Sequence, residues 1–236
     1  MDDLFASGIW RVDAKYRFES YLAMLPRVIS RLDLLCKKNS RRIRMIVATD
    51  QEGFEKIKIP NQKKIDLEII HLELDDLPET PSVSEPCGLK LGWLLSREKM
   101  NALNRVWLNK VFLMDELSRT HGDGLNQVTW IDGGLKQFQK NFPEQEFNNF
   151  SKAKKRKVYA NQYPNADRIK HSKCSLPHHI RAGVLTCRID FIHEFSRLFS
   201  SHMGKVSAMC GSFDEETILS SIYLENPGLF QKWEEL

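Results

Sequence analysis

Apolar positions recur along this chain at two spacings, and the changes between them predict helices alternating with short strands. Between residues 13 and 38, Phe18, Tyr21, Leu22, Leu25, Val28, Ile29, Leu32 and Leu35 fall three and four apart, which predicts one long helix. Pro26 lies inside that run and predicts a kink or a split. Ile43 to Thr49 is a continuous apolar stretch of strand length that ends at Asp50. Ile65 to Leu74 alternates in part and predicts another strand. Asp75, Asp76, Pro78, Pro81 and Pro86 then mark an irregular segment to about residue 88. Residues 97 to 118 return to helical spacing, with Met100, Leu103, Trp107, Val111, Met114 and Leu117 on one face and Lys110 at its edge.

The stretch Val128-Thr129-Trp130-Ile131-Asp132-Gly133-Gly134 predicts a short buried strand, since four of its first five residues are β-branched or aromatic. Residues 135 to 150 are mixed, helical in part and interrupted by Pro143. Residues 151 to 181 read as a loop that could close over an anionic ligand, or simply as a solvated loop. Ala182 to Cys187 predicts a short strand, Ile189 to Phe199 a helix, and Val206 to Cys210 another short strand. Thr217 to Leu224 predicts the last helix, ended by Asn226-Pro227-Gly228. Ser212 and Glu215 have the spacing of a capping box at its start. The order of elements indicates an α/β protein.

Length narrows this to one sizeable domain or two small ones. No shift of composition follows the irregular segment, so a single domain over residues 1–236 is the expectation. No apolar run approaches the roughly 20 residues of a membrane helix. The start, Met1-Asp2-Asp3-Leu4, lacks a secretory signal, which predicts a cytoplasmic protein and leaves peripheral contact with the inner membrane open. Five cysteines, an odd number without a CxxC pair, predict free thiols. The net charge of +4 is unevenly placed: Lys152, Lys154, Lys155, Arg156, Lys157, Arg168, Lys170 and Lys173 face one acid, Asp167. That segment suits an anionic partner such as phosphate groups, a lipid headgroup surface or nucleic acid.

Candidate chemistry gathers at strand ends. Asp132 would sit at the carboxyl edge of its strand, where ligands of open α/β sheets bind. Gly133 and Gly134 would leave room for a ligand and for backbone with positive φ. Asp50 ends a strand in the same way and either belongs to a site or caps a turn. Lys110 either snorkels or points its ammonium at the Asp132 edge. Asp214, Glu215 and Glu216 are explained by a helix start, and a helix start can also face a ligand. His178 and His179 are adjacent and cannot both face one metal from a regular element. A nucleotidyltransferase reading of Gly211-Ser212-Phe213-Asp214 lacks the second acidic strand it needs.

Three ordered stretches, spanning roughly residues 10 to 230, resemble the HtrL/YibB family of bacterial glycosyltransferases. They are Arg105-Val106-Trp107-Leu108-Asn109-Lys110, the Val128 to Gly134 strand, and Phe213-Asp214-Glu215-Glu216 with Tyr223-Leu224-Glu225-Asn226-Pro227-Gly228-Leu229-Phe230. The resemblance implies a GT-A-like fold with a mixed central sheet flanked by helices. It implies transfer of a sugar from a nucleotide-sugar donor to a glycan or glycolipid acceptor, as in surface-polysaccharide or lipopolysaccharide synthesis. Asp132 matches the metal-binding acid position, where Mn²⁺ or Mg²⁺ would bridge it to the donor diphosphate. Lys110 would contact the same phosphates, and Asp214 and Glu215 match the acidic pair near the reacting sugar; Gly133, Gly134 and Asp50, candidates from their strand ends alone, would line the same donor site. The chain departs from the pattern twice. Glycines follow Asp132 where a second acid is usual, and only Leu4-Phe5-Ala6 and Ile9-Trp10 precede the first helix, which predicts a shortened first strand. The rivals are a non-catalytic nucleotide- or glycan-binding member of the fold and, more weakly, a nucleic-acid-binding protein using residues 152–173.

Overall fold

A computed structural model describes residues 3–12, 17–84, 87–89, 93–134, 153, 155–163 and 176–232. Seven strands form one mixed sheet. In chain order they are β1 (Asp3–Ile9), β2 (Ile43–Thr49), β3 (Ile65–His71), β6 (Gln127–Ile131), β7 (Val158–Gln162), β8 (Ile180–Arg188) and β9 (Phe230–Gln231). A separate hairpin pairs β4 (Cys87–Leu89) with β5 (Trp93–Leu95). The sheet order is β3-β2-β1-β6-β8-β7-β9. The first four strands are mutually parallel, β8 runs antiparallel to both β6 and β7, and β9 is parallel to β7. The helices are α1 (Phe18–Lys38), α2 (Gln51–Lys56), α3 (Arg97–His121), α4 (Ile189–Met209) and α5 (Glu215–Glu225). This is the expected α/β architecture with a mixed sheet flanked by helices.

Alternation along the central strands splits the core in two. Leu4, Ala6, Ile46, Ala48, Val128 and Trp130 point to the side covered by α3, α4 and α5. Phe5, Ile9, Met45, Val47 and Ile131 point to the side covered by α1, where Leu25, Val28, Ile29 and Leu32 meet them. The parallel strands are buried on both faces, which is why they read as continuous apolar runs.

The first strand is not shortened: β1 has seven residues, lies between β2 and β6, and is almost wholly buried. Its sequence, DLFASGI, hides this, because small residues replace branched ones where aromatic rings pack. A Cβ on Gly8 would stand 2.3 Å from the Trp10 ring and 3.2 Å from that of Trp130. Two further expectations fail for related reasons. The stretch Val206–Cys210 is not a strand, because α4 runs on to Met209 and Val206 extends the buried face of Phe195, Phe199 and His202. Residues 155–163 are not all loop, because β7 fills the gap between β8 and β9. Pro26 does not split α1, which is continuous from Phe18 to Lys38. The third strand ends at His71, short of Leu74. The parts expected in residues 13–16 and 135–150 lie outside the described residues.

Free thiols are found at Cys36 and Cys187, both buried. Cys210 departs from the expectation, because it is disulfide-bonded. An odd count without a CxxC pair argues against a framework of bridges, but not against one bridge between distant cysteines that folding brings together. Among the described residues no helix is long and apolar enough to cross a membrane.

Candidate functional site

The carboxyl end of β6 meets the first turn of α5, and α3 supplies the side chain that joins them. Lys110 is buried, and its Nζ lies 2.9 Å from Asp132 Oδ1 and 2.7 Å from Glu215 Oε1. Burial alone would lower the pKa of Lys110, but the Asp132 and Glu215 carboxylates outweigh it and hold it above the ordinary lysine value. Glu215 behaves in the opposite way. Burial pushes it up to about 7, against the pull of Lys110, and the neighbouring Asp214 and Glu216 add to the rise. Asp132 is the open member of the three, with its side chain 34% exposed against 3% for Lys110 and 9% for Glu215. Trp130 Nε1 donates to the same Asp132 Oδ1 at 2.8 Å, so the indole and the ammonium fix that oxygen together.

Every polar residue of the Arg105 to Lys110 stretch has a placed partner. Arg105 reaches forward of the helix to the Asp75 carboxylate and to the carbonyls of Asp75 and Leu77 at 3.0, 2.7 and 3.0 Å. Asn109 Nδ2 donates to Pro78 O at 2.9 Å. These bonds tie the segment after β3 to α3. Asn104, one turn earlier and fully buried, donates Nδ2 to Phe213 O at 2.9 Å and sets the approach of the chain to α5.

The start of α5 is capped by Asp214, not by Ser212. Thr217 N donates to Asp214 Oδ1 at 2.8 Å, and Asp214 N donates back to Thr217 Oγ1 at 3.4 Å. The Ser212–Glu215 spacing fits the template equally well, but Glu215 is drawn to Lys110. His178 Nε2 lies 3.0 Å from Thr217 Oγ1 and 3.4 Å from Asp214 Oδ1, and its Nδ1 lies 3.5 Å from Glu216 Oε2. Glu216 also accepts from Tyr163 OH at 2.6 Å and from Ala182 N at 3.0 Å. Burial first, and then the Glu216 carboxylate, raise the pKa of the Tyr163 phenol. Arg181 stacks on that ring, 4.5 Å from its centroid. Nothing in the spacing of His178, Tyr163 and Arg181 announced this cluster. β7 and β8 had to be paired before it could be seen.

The remaining candidates are placed differently. Asp50 caps α2: its Oδ1 accepts from Gly53 N at 2.9 Å and its Oδ2 from Arg11 N at 2.8 Å. Gly133 and Gly134 have no positive φ. Their smallness serves packing, because a Cβ on Gly133 would stand 3.0 Å from Ile9 and one on Gly134 2.8 Å from the Tyr21 ring. Most of the basic segment 152–173 lies outside the described residues. Within them, Arg156 pairs with Glu194 and Lys157 donates to Gly228 O.

A divalent ion on Asp132 does not fit the donor set as it stands. One oxygen of the carboxylate already takes two donors, one of them a cation. No group of three or more His, Cys, Asp or Glu among the described residues could hold a metal.

No family model matches the chain, and no curated protein matches it. Among solved structures, it is similar to the apo crystal structure of mouse xyloside xylosyltransferase 1, with a TM-score of 0.57 and 12% sequence identity. The match covers 98% of this chain and 85% of that one. The protein therefore has the fold of that glycosyltransferase.

Proposed function

We propose that this protein is a nucleotide-sugar-dependent glycosyltransferase, related to the HtrL/YibB family, acting on a glycan or glycolipid acceptor. The observation that carries the reading is the junction of Asp132, Lys110 and Glu215 at the carboxyl edge of the sheet. Three stretches far apart in sequence converge there, in a fold shared with a xylosyltransferase. In the proposed reaction the bond between the sugar and the donor diphosphate breaks, and a bond to an acceptor oxygen forms. Lys110 contributes positive charge where negative charge grows on the leaving diphosphate. Asp132, the exposed member, meets the donor, while Asp214 and Glu215 sit at the α5 terminus beside the reacting sugar. The disulfide at Cys210 favours an oxidising compartment over the cytoplasm.

The test is donor turnover by the purified chain and by Asp132→Ala. The reading expects sugar loss from one nucleotide sugar by the wild type, and none by a folded Asp132→Ala variant. Unchanged turnover in the variant would sink it. A second reading, a non-catalytic binder of nucleotide or glycan, is favoured by the lone acid ahead of Gly133 and Gly134. Binding without sugar loss would select it.

A further inference from the structure

We propose that Lys110 is the resident cation of this site, standing where a divalent ion would stand beside Asp132, and that Asp132 Oδ2 accepts a hydrogen bond from a ligand hydroxyl. The inference rests on the transferase reading for the identity of the ligand, but not for the assignment of the cation. Asp132 Oδ1 is saturated by the Trp130 indole at 2.8 Å and the Lys110 ammonium at 2.9 Å. A hard cation binds a carboxylate oxygen at roughly 2.0–2.6 Å. On Asp132 it would lie within a few ångströms of an ammonium that two carboxylates keep charged. Lys110 is 2% exposed and its ammonium is also held by Glu215 at 2.7 Å, so it does not withdraw to solvent. Gly133 and Gly134 bring no second ligand, and the space beside them is filled by Ile9 and Tyr21.

The geometry leaves Asp132 with one oxygen fixed and the other without a partner among the described residues. Its charge is balanced from below by a lysine it shares with Glu215. A carboxylate held in that way suits a hydroxyl donor. It orients without repelling, because the buried ammonium offsets its charge toward a nearby diphosphate. The ligand class is thus a sugar hydroxyl, read by an oxygen acceptor that needs no metal.

Two measurements on the full chain test this. Mn²⁺ alone is titrated while the free-ion electron paramagnetic resonance signal is followed, for wild type and Asp132→Asn. The expected result is an undiminished free-ion signal with both proteins. Loss of signal with wild type, restored in Asp132→Asn, would overturn the proposal. Second, nucleotide sugars are screened by thermal shift with and without a chelator. A shift unaffected by chelator, and lost in both Asp132→Asn and Asp132→Ala, is expected, because the indole and the ammonium claim the single oxygen of asparagine and leave its NH2, not an acceptor, facing the ligand. A shift abolished by chelator would contradict it. If no nucleotide sugar shifts the wild type, the transferase reading fails, while the Mn²⁺ titration still decides the cation.

Discussion

Two strands of this sheet lead directly into an aspartate, and the two aspartates do different work. Asp50 follows β2 and spends both oxygens on backbone N–H groups, one in the helix that follows it and one at Arg11, two residues past β1. Asp132 follows β6 and is held by side chains: an indole from that strand and a lysine from α3, which is also held by Glu215. The first arrangement closes a turn. The second joins three elements, leaves a carboxylate oxygen facing outward, and buries a cation beneath it. What separates them is the partner each receives from elsewhere in the chain.

The comparison can be broken most strongly at Lys110. Lys110→Met removes the cation that Asp132 and Glu215 share and leaves Glu215 buried beside Asp214 and Glu216. The expected cost is about 3–5 kcal/mol in urea unfolding, as for breaking other buried pairs. Glu215 adds a pH signature to the same pair. Its folded-state value of about 7 lies above the ordinary 4.5, so the folded protein holds the proton more tightly than the unfolded chain. Below pH 4.5 both states are protonated, and this contribution is fully present. It is lost as pH rises through about 7. A plot of stability against pH should therefore fall over that window in wild type, and fall less in Glu215→Gln.

Asn104→Ala is the next largest. It leaves the Phe213 carbonyl without its donor in a dry site, at about 1–3 kcal/mol, and loosens the approach to α5. Asp50→Ala removes a helix cap at about 1 kcal/mol, read as a small drop in melting temperature. If Asp50→Ala costs more than Asn104→Ala, the division between a turn-closing and a site-building aspartate is drawn in the wrong place.

Both aspartates were legible as strand ends, because the runs before them are apolar and buried on both faces. Their different roles were not, since Lys110 and Glu215 stand 105 residues apart in the chain. The helix spacing of α3 did place Lys110 on the edge of the packed face. β1 stayed hidden because a strand beneath Trp10 and Trp130 is built of small residues there. The Tyr163–Glu216–His178 cluster stayed hidden because β7 follows a run of basic residues and looks like loop until it is paired with β8. Ser212 misled because the capping-box spacing is satisfied twice within six residues, Ser212 to Thr217, and the competing pull of Lys110 on Glu215 decides which is used.

The most direct measurement is nucleotide-sugar binding by thermal shift for wild type, Asp132→Ala and Asp50→Ala side by side, since a ligand that binds only the folded state raises the melting temperature. The account expects one nucleotide class to shift the wild type and Asp50→Ala by similar increments, the latter from a slightly lower starting point, and to leave Asp132→Ala unmoved. A shift that survives in Asp132→Ala but disappears in Asp50→Ala would contradict it and move the ligand to the β2 edge.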